Sequence, residues 1–242
     1  MKKLKQKFKE LRLKYCAEHI TEIIEQAAQK NLSPVQTIHR LLDFEIEARE
    51  KARIHLRFKQ SKLDEKNTID QFDFNHHKSR QEYKALILNI MDMEFVHQKK
   101  DIIMIGNPGV GKSHLAQCIA YAATQAGIKT LFTTAMDMIN NLIAAEADHS
   151  LLKKLHYYQS QDILVCDEIG YLPLGKQGSN LFFQVISARH KKKSTVITTN
   201  LPFAQWSNIF DGQTAATAIA DRLVFNSEIL IMEGQSYRKR RL

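Results

Sequence analysis

Gly106-Asn107-Pro108-Gly109-Val110-Gly111-Lys112-Ser113 decides the fold. The stretch satisfies G-x-x-x-x-G-K-[ST] at every fixed position. The short apolar run Asp101 to Ile105 enters it, and a helical pattern from Gly109 to Ala126 leaves it. Strand, glycine-rich turn and helix are the setting in which a loop of this kind wraps phosphate. Glycines let backbone N–H groups approach the oxygens, and the helix N-terminus adds the positive end of its dipole. The bland alternative, a glycine-rich turn with an incidental lysine, accounts for neither flanking element.

Working outward, the next informative stretch is Ile163-Leu164-Val165-Cys166-Asp167-Glu168. An apolar strand here ends in two carboxylates, at the strand end where α/β sheets place their ligands. With the loop upstream, ATP is the expected nucleotide. Lys112 reaches the β- and γ-phosphates, Ser113 and Asp167 hold Mg²⁺, and Glu168 polarises the attacking water. Residues adjacent on a strand face opposite ways, so both carboxylates reach one crevice only by turning at the strand terminus. The expected cradle is Gly106, Asn107, Pro108, Gly109, Val110, Gly111, Lys112, Ser113 and His114. A third strand, Ser194 to Thr199, ends at Asn200, a polar residue placed to orient the water.

The rest of the second half alternates helix with strand: helices over Tyr83 to Phe95, Met136 to Ala147, Leu151 to Tyr158, Asn180 to His190 and Ala215 to Leu223, and strands over Lys129 to Thr133, Asp162 to Cys166, Thr195 to Thr199 and Glu228 to Met232. This grammar predicts an α/β fold, a parallel sheet covered on both faces. Before it, Met1 to Lys66 has no glycine and carries apolar residues at helical spacing. Ser33-Pro34 marks a helix start, with Ser33 as N-cap and Pro34 as first helical residue. The expected organisation is a helical, basic N-terminal domain over 1–66, a linker over 67–79 and an ATPase domain over 80–242. Within the linker, Phe72-Asp73-Phe74 is expected to pack onto the domain that follows, and His76-His77 reads as surface loop, lacking matched metal ligands nearby.

Composition excludes several classes. The chain has 242 residues, 44% hydrophobic and 25% charged, as in ordinary globular proteins. No apolar run approaches the ~18 residues that span a bilayer. The basic N-terminus is not followed by an apolar signal stretch, so a cytoplasmic protein is expected, with no membrane partner. Cys16, Cys118 and Cys166 form no CxxC pair and no zinc pattern, and are read as reduced, mostly buried thiols. Net charge is +9, and residues 1–66 hold 16 Lys and Arg against 10 Asp and Glu. Such a balance favours a polyanionic partner, although solvated helix faces are also often basic.

Taken together, the loop, Asp167-Glu168 and Asn200 resemble an AAA+ ATPase with the additional central strand and catalytic glutamate. Neighbouring residues narrow this. Asp167-Glu168-Ile169-Gly170-Tyr171-Leu172-Pro173-Leu174, Thr198-Thr199-Asn200-Leu201-Pro202-Phe203 with Trp206, and Ser236-Tyr237-Arg238 are similar to IstB-like proteins, the bacterial ATP-binding helpers of insertion-sequence transposases, related to replicative-helicase loaders. Leu11-Arg12-Leu13, Arg40-Leu41-Leu42 and Glu47-Ala48-Arg49-Glu50 fit as well, so the resemblance covers nearly the whole chain. It implies that Arg222 is an arginine finger for a neighbouring subunit's ATP and that Arg238 is a sensor arginine acting within its own subunit. Phe225 stands where relatives often carry histidine, and Ser113 replaces their common threonine while keeping the hydroxyl.

The same resemblance implies an ATP-dependent homo-oligomer on double-stranded DNA and a partner transposase of the integrase-like kind. The basic face over Arg49, Lys51, Arg53, Arg57, Lys59 and Lys62, and the run Arg189-His190-Lys191-Lys192-Lys193, are candidate phosphate contacts. No base-reading motif is apparent, so DNA binding is expected to be largely independent of sequence. A replicative-helicase loader is the alternative reading, and a small-molecule kinase is disfavoured by Asp167-Glu168, Asn200 and Arg222.

Overall fold

A computed structural model describes residues 1–237 of the chain. The chain divides into two compact units, Met1–Leu56 and Arg57–Leu242.

The first unit is helical: α1 (Lys2–Glu10), α2 (Lys14–Gln29) and the start of α3 (Pro34–Ser61). The helical spacing of apolar residues is interrupted between α1 and α2, where the chain breaks at Arg12, whose φ is 58°. Ser33 and Gln36 form a reciprocal cap at the start of α3, with Ser33 N donating to Gln36 Oε1 at 2.8 Å and Gln36 N donating to Ser33 Oγ at 3.3 Å. Cys16, Ile20, Ile23 and Leu41 make a small core. Glu45 is buried beside it and accepts from Cys16 N at 2.7 Å and Arg49 Nε at 2.8 Å. A carboxylate so satisfied stays charged inside a core where an unpaired one would be very costly.

The second unit takes in residues that looked like linker. Phe58 and Leu63 pack into its core, followed by two short 3₁₀ turns, Ile69–Gln71 and Phe74–His76, with Phe72 buried between them. Three short helices then lead to the sheet: α4 (Lys78–Glu82), α5 (Lys84–Met91) and α6 (Glu94–His97). The left-handed Met93, φ 62°, ends the helix expected to continue to Phe95.

The sheet comprises β1 (Asp101–Gly106), β2 (Thr130–Thr134), β3 (Ile163–Ile169), β4 (Ser194–Thr199) and β5 (Ser227–Met232), in the spatial order β2-β3-β4-β1-β5. All neighbours are parallel. Helices α7 (Lys112–Gln125), α8 (Ala135–Ala147), α9 (Leu151–Gln159), α10 (Gly175–Arg189) and α11 (Gly212–Val224) make the crossovers. Alternation along each strand divides the core into two layers. Ile103, Leu164, Cys166 and Ile197 face α8 to α11. Ile102, Met104, Ile163, Val165 and Val196 face α5 to α7. Each such side chain contributes roughly 1.5–3 kcal/mol on leaving water. Buried on both faces, the strands carry continuous apolar sequence, which is why they were legible.

β4 lies between β1, which carries the glycine-rich loop, and β3, which carries the two acids. That insertion puts Asn200 between the halves of the site. At the opposite ends of the strands, Arg189 acts as a buried pin. It is 1% exposed and donates to the carbonyls of Tyr158, Gln159, Gln161 and Ser194 and to the Thr195 hydroxyl. Burial holds its pKa down to about 10. Arg189 was a candidate for DNA contact, and its burial removes it from that role. Among the described residues, no helix is long and apolar enough to cross a membrane.

Candidate nucleotide site

Gly106 ends β1 directly against Met232 of β5, where an added Cβ would lie 1.9 Å from the Met232 carbonyl oxygen. Only glycine fits there. At the other end of the loop, Gly111 caps α7 at φ 100°, and a Cβ would meet the Arg80 guanidinium at 2.6 Å. Between them the backbone curls so that Lys112 Nζ donates to the carbonyls of Gly106 at 2.6 Å and Asn107 at 2.9 Å. Lys112 is 8% exposed, and burial lowers its pKa, opposed by the charges of Asp167 and Glu168. Asn107 and Pro108 are exposed at the crest, while Val110 is buried.

The loop's outer wall is built on Arg80, which sequence reasoning left out, with Phe72, which packs into this unit's core as expected of Phe72-Asp73-Phe74, and Tyr237. Arg80 donates to the Val110 carbonyl through Nε at 3.2 Å and Nη2 at 2.6 Å, and to the Asp73 carbonyl through Nη1 at 2.7 Å. Its guanidinium carbon lies 4.5 Å from the Phe72 ring centroid and 5.5 Å from that of Tyr237. Tyr237 N in turn donates to the Gly109 carbonyl at 2.9 Å. These side chains, with Gln71, His114 and the loop, line a cleft of about 530 Å³. His114 stacks on Phe72 at 6.1 Å between centroids, and burial followed by the nearby Arg80 charge lowers its pKa. His76 is tied to this wall too, through the Gln235 carbonyl at 3.1 Å and the Tyr237 ring at 4.9 Å, instead of lying free on the surface. Among the described residues, no cluster of His, Cys, Asp and Glu suits a metal.

Across the cleft floor, Ser113 Oγ donates to Asp167 Oδ1 at 3.0 Å. Asp167 is buried and Glu168 exposed. Between these two neighbours and the next strand lies a bulge in β3. Cys166 pairs with Ile197 and Ile169 with Thr199, so Asp167 and Glu168 together oppose Thr198 alone. The irregularity extends β3 past the expected Cys166 to Ile169 and puts Glu168 at φ 62°. A left-handed non-glycine residue costs about 1–3 kcal/mol. The Glu168 amide, taken off the ladder, instead donates to Thr198 Oγ1 at 2.9 Å. The same hydroxyl donates to Asp167 Oδ1. Thr198 was read only as part of the strand Ser194 to Thr199, since nothing in one sequence reports a bulge.

Asn200 follows β4, and its Oδ1 is 3.0 Å from where a Cβ on Gly170 would stand, beside the turn after Glu168. Arg222 lies elsewhere. It is in the last turn of α11, its Nη1 bonded to the Ala218 carbonyl at 2.8 Å and its guanidinium 4.5 Å from the Phe183 ring centroid. The Arg222 carbonyl meets His190 Nδ1 at 3.0 Å, just ahead of β4. That is the end of the sheet where the strands begin, opposite the loop and a strand length of roughly 15–20 Å away. Arg238 lies outside the described residues, though Tyr237 before it is bonded to the loop.

A parallel sheet in this order, with a phosphate loop after one strand and paired acids two strands away, defines an AAA+ P-loop ATP-binding protein. The chain belongs to the family of IstB-like ATP binding proteins, whose profile matches residues 6–242. It is 36% identical to a protein named for ATP binding in insertion sequence IS232 of Bacillus thuringiensis subsp. berliner, over 94% of this chain and 90% of that one. The corresponding IS5376 protein of Geobacillus stearothermophilus is also 36% identical, over 95% and 91% of the two chains. The DnaC helicase loader shares the fold at a TM-score of 0.59 and 24% identity, covering 69% of this chain and 96% of its own. AMPPCP-bound DnaA from Aquifex aeolicus shares it at 0.61 and 16% identity, covering 73% and 53%.

Proposed function

We propose that this chain is a Mg²⁺-dependent ATPase that assembles on double-stranded DNA in its ATP-bound form and there recruits the transposase of its insertion sequence. The Ser113–Asp167 hydrogen bond, with Glu168 beside it, carries the reading. Hard oxygen donors on opposite walls of a phosphate cleft suit Mg²⁺, which takes few protein ligands and keeps water and phosphate oxygens around it. When bound, that ion neutralises charge on the β- and γ-phosphates.

This chain's residues supply the rest. Loop amides and Lys112 hold the phosphates. Lys112 Nζ exchanges the Gly106 and Asn107 carbonyls for phosphate oxygens. Glu168, exposed beside the buried Asp167, takes a proton from water as the water oxygen attacks the γ-phosphorus and ADP departs. Asn200 orients that water. Arg222, at the far end of the sheet, serves the site of an adjoining copy, where its guanidinium meets charge spreading over the γ-phosphoryl oxygens. Arg238, which lies outside the described residues, has the role that the family resemblance implies, contact with ATP within its own chain.

The names of the insertion-sequence relatives support the transposition reading. Exposed Lys59, Lys62, Lys191 and Lys192 are the remaining candidates for DNA phosphate contact. Arg49, Lys51 and Arg53 pair with Glu45, Glu47 and Glu50, and Arg57 bonds the Gly127 carbonyl. Such a protein belongs in the bacterial cytoplasm. Light scattering tests the reading: ATP with Mg²⁺ and duplex DNA should raise the particle mass well beyond either component alone. An unchanged mass would refute it, and ATP-dependent capture of a replicative helicase in place of a transposase would favour the loader alternative.

A further inference from the structure

The Thr198 hydroxyl sits at the junction of the two acidic residues. It donates to Asp167 Oδ1 and accepts from the Glu168 amide at 2.9 Å. Thr198 is 1% exposed and is the single residue opposing both acids across the β3 bulge. A bulge frees one amide from the ladder, and a buried amide must find an acceptor elsewhere. Here the acceptor is a side chain, and its own proton goes to the neighbouring carboxylate. Asp167 Oδ1 therefore receives two hydroxyl protons, from Ser113 and from Thr198.

We propose that Thr198 is a positioning residue that sets the metal-binding carboxylate and the water-activating glutamate with one hydroxyl. It touches neither phosphate nor water. Its donated proton, with that of Ser113, takes up the lone pairs of Asp167 Oδ1 and fixes the carboxylate's rotation, leaving those of Oδ2 for the cation. Its accepted bond holds the Glu168 backbone in the left-handed conformation that sends the side chain outward while Asp167 stays inward. Loss of the hydroxyl releases both acids together. Valine keeps Thr198's shape and β-branching without the hydroxyl, and serine keeps the hydroxyl without the methyl.

This inference rests on the proposed ATPase reading, and its test has two independent readouts. The full chain is prepared as wild type, Thr198→Val and Thr198→Ser, with thermal melting to establish folding. Affinity for a fluorescent ATP analogue is measured with and without Mg²⁺, and ATP hydrolysis is measured separately. Residues supporting metal ligands typically change metal affinity or activity by about 10- to 100-fold. Thr198→Val should therefore need about 10-fold or more Mg²⁺ for half-maximal tightening of nucleotide binding, with Mg²⁺-free affinity within about 3-fold of wild type. Its kcat should fall by about 10- to 100-fold, and Thr198→Ser should restore both readouts to within about 3-fold of wild type. Normal Mg²⁺ dependence in folded Thr198→Val overturns the proposal. Equal damage in Thr198→Ser also overturns it, because the methyl's packing would then be the cause. If Thr198→Val does not fold, Thr198→Ser decides alone: wild-type behaviour upholds the hydroxyl's role, and a defect rejects it. Absence of hydrolysis in the wild type would sink the ATPase reading while the Mg²⁺ titration still judged Thr198.

Discussion

Ser113 and Asp167, 54 positions apart in the chain, are joined by a 3.0 Å hydrogen bond between the start of α7 and β3. The bond closes the cleft floor and brings the two oxygen ligands expected for Mg²⁺ together. Ser113→Ala and Asp167→Asn should each weaken Mg²⁺-dependent nucleotide binding by about 10- to 100-fold. Titrating a fluorescent nucleotide with and without the ion reads this directly. Unchanged Mg²⁺ dependence in both variants would remove these residues from the metal site.

Glu168 is exposed and makes its hydrogen bond through its backbone. Glu168→Gln should preserve ATP binding and slow hydrolysis by about 10²- to 10⁴-fold, the usual contribution of a general base. A variant that lost nucleotide affinity instead would show that the carboxylate has a binding role.

Arg222 stands at the end of the sheet away from its own phosphate loop. Arg222→Ala should keep ATP affinity within about 3-fold while lowering kcat by about 10³-fold or more, the scale of an arginine finger. Mixing it with Lys112→Ala should restore part of the hydrolysis, since mixed neighbours can form an intact shared site. No recovery at any mixing ratio argues against action between subunits.

Arg189 and its lysine neighbours should behave differently. Arg189→Ala strands three buried carbonyls and a half-buried one and should cost about 3–5 kcal/mol of stability by denaturant unfolding. Lys191→Ala with Lys192→Ala should leave stability within about 0.5 kcal/mol, as surface changes do. The double variant should also make DNA affinity less steeply dependent on salt. A normal salt slope would exclude these lysines as phosphate contacts.

All three cysteines are buried, and burial raises their pKa from an ordinary 9.0 to about 11 for Cys16 and about 12 for Cys118 and Cys166. Thiolate is the reactive form, so native protein at pH 8 should alkylate far more slowly than denatured protein. The linkage has a definite sign. Folding favours the neutral thiol, so this stabilisation is fully present below pH 9 and is lost as pH rises towards 11–12. Unfolding should accelerate over that window. Rapid native labelling at pH 8 would contradict the burial of these thiols.

Much of the chemistry was legible because it is local. Gly106 to Ser113 is contiguous, and its glycines meet steric demands within a few residues. Buried parallel strands advertise themselves as apolar runs, which located β1 and β3 to β5 closely. Less legible were Arg80, Phe72 and Tyr237, which reach the loop from distant segments, and the division after Leu56, inside an uninterrupted helix. Helical periodicity carries no mark where one unit ends within a helix.

By itself, the sequence determined the α/β class, the phosphate loop and the acidic pair Asp167-Glu168, because backbone sterics and hydrophobic periodicity act over short spans. Tertiary structure decided how those parts meet. Only strand order places β4 between the loop and the acids, and only the β3 bulge sets the two adjacent acids against Thr198 alone. Burial likewise separated Arg189 from Lys191 and Lys192, identical in charge along the chain but opposite in surroundings. Register and burial arise from contacts between segments far apart in the chain, and those contacts give one charge a structural role and leave another to solvent.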